Sequence, residues 1–200
     1  MTDLCRHQRA LLALLRSGVL PDPDDDPYLH RVAVSPDLAQ ARENVLLWRV
    51  YVLERSCVLT LALLRGRRSL IATLHDFIAG HNLSPFREFQ PRAFLAWLSA
   101  SDDPLLVALA SFEMALTAVR EGDATAYEVA WPVDPHPVLD ALTRSSPLAE
   151  PLPQSAWIAR VHHALPGGFV LQPAAPPTFS ELAHPSNGCA CPLCGTAAQR

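Results

Sequence analysis

Lysine is missing from this chain: all 16 basic residues are arginine. That absence excludes Schiff-base chemistry and Walker-type phosphate loops, which both need a lysine amine. Glycine is scarce, at 8 residues in 200, and neither Gly-x-Gly-x-x-Gly nor Gly-x-Ser-x-Gly occurs. A dinucleotide-binding turn and a serine nucleophile elbow are therefore not expected. Charge is thin as well. Only 18% of residues are charged, and 20 acids against 16 arginines leave a net charge of −4, the wrong sign for a protein that grips nucleic acid through a cationic face. No apolar run approaches the roughly 18 residues of a membrane span; the longest stretch, residues 45–64, is interrupted by Arg49, Glu54 and Arg55. The opening Met1-Thr2-Asp3-Leu4-Cys5-Arg6-His7 lacks the basic-then-apolar order of a signal peptide, so a soluble, cytoplasmic protein is expected.

What is abundant is apolar side chain and proline. Half of the residues are hydrophobic and 19 are proline, about twice average usage, which predicts a packed core punctuated by stiff turns. Residues 1–122 read as helical throughout. Leu4, Leu11, Leu12, Leu14 and Leu15 make an apolar stripe that Asp3 can cap. Asp24, Asp25 and Asp26 follow in a proline-broken loop without the glycine-turned pattern of a calcium site, so a solvated loop is expected there. Leu38, Ala41, Val45, Leu46, Trp48, Val52, Leu53, Val58, Leu61 and Leu64 keep helical spacing, which predicts one long helix over residues 37–64. A second covers residues 69–81 with Leu70, Ile71, Leu74, Phe77 and Ile78 inward, and a third covers residues 91–100 from Pro91. A fourth spans residues 104–121, capped by Asp102 or Asp103 and stopped by Gly122.

Beyond residue 122 the period changes. Residues 125–133 alternate and are rich in β-formers, and Asp134-Pro135-His136-Pro137 opens a short helix. Residues 157–165 and 169–171, joined by Pro166-Gly167-Gly168, read as a hairpin. The fold class expected is α+β: an N-terminal helical bundle over residues 1–122, then a small β-rich, winged or leader-recognition-like module over residues 123–173. Residues 174–200 read as a proline-rich linker and a cysteine-rich tail.

No catalytic set emerges from the side chains. His75 and His81 are six apart around a helix end and do not stack as an i, i+4 pair. His162 and His163 are neighbours on a strand and would face opposite sides. Cys5 and Cys57 read as small apolar residues. Glu113 sits among Phe112, Met114 and Leu116; a buried carboxylate needs a partner, and Arg49, Arg55 or Arg120 is expected to supply it. The sharpest local pattern is His184-x4-Cys189-x-Cys191-x2-Cys194, chemically adequate for tetrahedral zinc or for copper(I). A mobile tail with incidental cysteines is the simpler reading of those residues. The β-rich module offers a different activity, because an exposed strand can pair with an extended peptide. The candidate edges carry Tyr127, Val129 and Trp131 on one strand, and Trp157, Arg160 and His162 on the other.

Two stretches in the helical region, Pro91-Arg92-Ala93-Phe94-Leu95-Ala96-Trp97-Leu98 and Leu109-Ala110-Ser111-Phe112-Glu113-Met114-Ala115-Leu116, carry a resemblance. Trp131-Pro132-Val133-Asp134-Pro135-His136-Pro137-Val138-Leu139-Asp140-Ala141-Leu142 and Leu165-Pro166-Gly167-Gly168-Phe169 continue it. Over residues 38–172 the chain resembles the partner subunits of multinuclear non-haem iron oxidative enzymes that modify cysteines in ribosomal peptides, and among them the MbnC family of methanobactin biosynthesis. The resemblance implies a non-catalytic accessory subunit that forms a heterodimer with an MbnB-like iron oxidase. It also implies that a leader-recognition-like module binds an MbnA-like precursor peptide, whose cysteines become oxazolone and thioamide groups of a copper chelator. The iron belongs to the partner in that reading. The cysteine tail matches nothing in the family. Two other classes stay open: a winged-helix-like DNA-binding regulator, and a small metal-binding protein using His184, Cys189, Cys191 and Cys194.

Overall fold

The computed structural model describes residues 2–17, 20–81, 89–149 and 151–174. Among them the order is seven helices, a strand, an eighth helix and two strands, an α+β fold with the helices first.

The chain opens with α1 (Thr2–Ser17). The acidic loop then feeds a short α2 (Pro27–Ala33) that the periodicity did not reveal; Asp26 caps it by accepting from the Tyr28 N–H at 2.8 Å. Asp25 accepts from the Asp22 N–H at 3.0 Å and from Arg6 at 2.7 Å, so the Asp25 and Asp26 carboxylates serve a turn and a cap. Cys5 is exposed and Cys57 is buried, so the expectation of an apolar environment holds for the second alone.

The long helix expected over residues 37–64 is two helices. α3 (Pro36–Ser56) stops and α4 (Val58–Gly66) restarts at Cys57, whose φ of −115° and ψ of 52° leave the helical region. Neither glycine nor proline occurs between residues 53 and 60, so the break is tertiary in origin. α5 (Leu70–Gly80) buries Leu74 and Phe77, while Ile71, expected inward, is 78% exposed. α6 (Gln90–Leu98) begins one residue before Pro91. α7 (Pro104–Arg120) is the central helix. Asp103 caps it, accepting from the Leu105 and Leu106 N–H groups at 3.1 and 3.2 Å. Gly122, at φ +96°, ends it by letting the Asp123 N–H turn back to the Ala118 carbonyl.

Three strands make one antiparallel sheet in the order β1 (Tyr127–Val133), β2 (Gln154–Val161), β3 (Phe169–Pro173), with α8 (Pro135–Thr143) between β1 and β2. Asp134 caps α8 through the His136 N–H at 2.9 Å. A 3-10 turn at Pro166–Gly168 leads into β3, with Gly167 and Gly168 at φ +71° and +84°. Inward-facing Val129, Trp131, Val133, Ala159 and Val161 join side chains of α3 to α8 in one buried cluster. Phe112 of α7 ties the layers together, since its ring meets Trp131 at 5.7 Å and Phe169 at 5.2 Å, both edge-on. Phe112 and Trp131 are fully buried and Phe169 half-buried; burying each of the first two contributes about 1.5–3 kcal/mol of hydrophobic stabilisation.

Candidate peptide-binding edge

The sheet places the six strand residues differently from the sequence expectation. β2 pairs with β1 on one side and with β3 on the other, so it is central and its backbone is already engaged. Trp157 and Arg160 therefore lie on no edge, which corrects that half of the expectation. The physical reason is chain order: the tight hairpin puts β3 beside β2, and α8 returns the chain so that β1 takes β2's other side. His162 lies just past β2. The Ala164 N–H donates to its Nδ1 at 3.2 Å, which leaves Nε2–H to donate to the Ala124 carbonyl at 3.2 Å. The His162 and His163 rings stand only 4.1 Å apart in the turn rather than on opposite faces of a strand.

Side-chain direction separates the candidates further. Val129 and Trp131 are 8% and 2% exposed and point into the core, where no ligand can touch them. Tyr127 is half-buried and its hydroxyl donates to Asp123 at 2.6 Å. That bond, followed by the Thr125 side chain and N–H, pulls the Asp123 carboxyl down to about 2. Trp157 faces inward too, with its Nε1–H donating to Ser155 Oγ at 2.8 Å and its ring edge-on to His136 at 5.1 Å. Arg160 is on the outer face, bonded to Glu128 of β1 at 2.8 Å. An exposed pair of this kind contributes roughly 0.2–1 kcal/mol.

Backbone parity then decides which edge is open among the described residues. The Ala174 N–H donates to the Ala156 carbonyl and the His162 N–H to the Gly168 carbonyl, each at 2.9 Å. In an antiparallel strand successive residues turn their N–H and C=O groups to alternate sides. Val170 and Gln172 therefore bond to β2, while Phe169 and Leu171 turn both groups outward. The same parity carried across β2 turns Glu128, Ala130 and Pro132 outward on β1. Pro132 has no N–H, sits beside a β-bulge and guards that edge, as prolines on edge strands do.

The β3 edge borders a groove of about 500 Å³ between β3 and α8, lined by His136, Leu139, Asp140, Thr143, Phe169, Val170 and Leu171. Leu139 and Leu171 make an apolar floor, and His136, Asp140 and Thr143 give one polar wall. His136 is oriented by its own ring nitrogen, which donates to Asp134 at 2.9 Å. Asp140 is paired with Arg144 at 2.8 Å across one helical turn. An extended segment laid here would bond through Phe169 and Leu171 and send alternate side chains toward Leu139. Sequence reasoning passed over this edge. The signal that could have found it is Pro132, which marks β1 as a guarded edge and leaves β3 as the other.

The remaining candidates carry less. His184, Cys189, Cys191 and Cys194 lie outside the described residues. Among the described residues no group of three or more His, Cys, Asp or Glu is close enough to hold a metal ion. His81 is a helix-end residue whose Nδ1–H donates to the Phe77 carbonyl at 3.0 Å, and His75 is exposed beside Asp76. A winged-helix DNA reader sets its recognition helix after another helix and a short turn, whereas α8 here follows β1 directly. Also among the described residues, no helix is long and apolar enough to cross a membrane.

Glu113, expected in an ion pair, serves the backbone instead. It is 6% exposed, and its Oε1 and Oε2 accept from the Leu59 and Thr60 N–H groups at 2.8 and 2.9 Å. Burial pushes its carboxyl up, against Thr60, the Leu59 N–H and the more distant Arg120 charge. Arg49 goes elsewhere, donating to the Ile78 and His81 carbonyls at 3.3 Å each and to Gln90 at 3.1 Å. An acid thus sits at the start of α4 and a base at the end of α5, the sign each helix end favours. Compared with family models, with curated proteins and with solved structures, the chain matches none.

Proposed function

We propose that this chain is a non-catalytic subunit that holds the leader of a ribosomal precursor peptide on the β3 edge while a partner iron oxidase acts on the peptide's cysteines. The observation that carries the reading is the β3 edge itself: outward N–H and C=O groups at Phe169 and Leu171 beside a groove with an apolar floor. Strand addition draws affinity from main-chain hydrogen bonds and specificity from pockets for alternate side chains, and this edge supplies both. The sequence resemblance names the partners: an MbnB-like oxidase, and an MbnA-like precursor converted to oxazolone and thioamide groups in methanobactin biosynthesis. The exposed apolar residues of α3, Leu47, Trp48 and Tyr51, are the surface the helical half would offer to the oxidase. The iron stays with the oxidase, and this chain contributes position alone.

The test is reconstitution. The purified chain should show no turnover and little bound iron, should co-purify with the oxidase, and should bind the precursor through its leader. Efficient cysteine oxidation by the oxidase without this chain overturns the proposal. A salt-sensitive gel shift with DNA at low ionic strength would move the reading to a regulator instead.

A further inference from the structure

The α3–α4 break has no cause in its own sequence. Residues 53–60 read Leu-Glu-Arg-Ser-Cys-Val-Leu-Thr, with no helix breaker among them. The helical ladder nevertheless stops there. The Cys57 N–H still reaches back to the Leu53 carbonyl at 2.8 Å, and the Leu61 N–H reaches the Cys57 carbonyl at 2.9 Å. Between those bonds, the Leu59 and Thr60 N–H groups, which a continuous helix would give to the Arg55 and Ser56 carbonyls, go to Glu113. α4 has no side-chain cap of its own, so a carboxylate from α7 does that work across 53 residues of sequence.

We propose that Glu113 holds broken what would otherwise be one continuous helix, and that α3 is a hinged arm whose exit angle from the core this carboxylate sets. Arg49 is the second fastening. It lies on α3, and its guanidinium binds the last carbonyls of α5 together with buried Gln90. Straightening at Cys57 has to draw Arg49 off those carbonyls. The two arrangements are therefore alternatives, with Glu113 and Arg49 acting together in the bent one and the backbone ladder replacing them in the straight one. Because α3 carries Leu47, Trp48 and Tyr51 exposed, the hinge also decides where that apolar face stands relative to the sheet. Cys57, 0% exposed at the hinge, is a local reporter.

Glu113→Leu tests this, because it removes both acceptors and keeps the bulk. The readout is the backbone chemical shift and sequential amide contacts of Ser56, Cys57 and Val58 by NMR. The wild-type chain should give a non-helical Cys57, and E113L should give a helical one, with the Arg49 side chain released from α5. A folded E113L in which Cys57 stays non-helical overturns the proposal. If E113L does not fold, Glu113→Gln supplies the second arm, since its amide keeps the bulk and one of the two acceptor oxygens. E113Q should move the Cys57 shifts part of the way toward helical values, and a folded E113Q with Cys57 shifts unchanged overturns the proposal equally. Peptide binding on the β3 edge is a separate readout, so loss of the leader reading leaves this result intact.

Discussion

At its outward positions β1 presents Glu128, Ala130 and Pro132, whereas β3 presents Phe169 and Leu171 before it reaches Pro173. Both strands border the same sheet and both lay their inner faces on the same core. The difference is one of parity. Pro132 stands where the missing N–H is an outward one, so it costs the ladder nothing and removes a donor from the free edge. Pro173 also stands at an outward position, but at the far end of β3, and leaves Phe169 and Leu171 open. Where a proline falls relative to the hydrogen-bond alternation thus decides whether an edge is guarded or available.

The largest expected effect tests whether the two edges share one support. Phe112→Ala removes the ring that meets Trp131 of β1 and Phe169 of β3. The loss should be about 3–5 kcal/mol, read as a lower denaturant midpoint, with both strands losing amide protection together. Protection lost in β3 alone would show that the edges are independently held. Next in size, Leu171→Pro places on β3 the guard that β1 already has. Leader-peptide affinity should fall at least about tenfold, near 1.4 kcal/mol, with far-UV circular dichroism unchanged; titration by fluorescence anisotropy measures it, and unchanged affinity would break the comparison.

Pro132→Ala is the converse experiment. It restores an outward N–H to β1 and should raise concentration-dependent self-association, seen by analytical ultracentrifugation, while leader affinity stays as it was. The smallest effect concerns the start of β1. The Asp123 carboxyl is held at about 2 by Tyr127 and Thr125, below its unfolded value of about 3.9. A lowered folded value means the contribution is present above pH ~3.9 and is lost as pH falls toward 2. Asp123→Asn should therefore be slightly less stable than wild type at pH 6 and equal to it near pH 2, by thermal melts at each pH.

Much of this architecture is legible in the residues. The cap at Asp103, the stop at Gly122 and the Asp134-Pro135 helix start all stand where the side chains place them. The period change after residue 122 separates helices from strands because alternation and 3.6-residue spacing are local properties. Strand order is not local, and so β2, with its Trp157 and Arg160, reads as an edge although it is central. The break at Cys57 is beyond local reading for the same reason: its cause, Glu113, is on another helix. Burial of Glu113 is legible from its apolar neighbours, but a buried carboxylate does not need an arginine, because backbone N–H groups at a helix start serve as well. The short α2 has too few residues for periodicity to register, and only its Asp26-Pro27 cap announces it.

The placement of two indoles gives the molecule a built-in optical gauge. Trp157 meets His136, a residue lining the groove beside β3, while Trp131 is sealed behind the sheet against Phe112. Emission from Trp157 should respond to whatever fills the groove beside His136. Trp131 is its direct cross-strand partner and Trp48 and Trp97 emit as well, so groove occupancy is read in a chain that keeps Trp157 as its sole tryptophan.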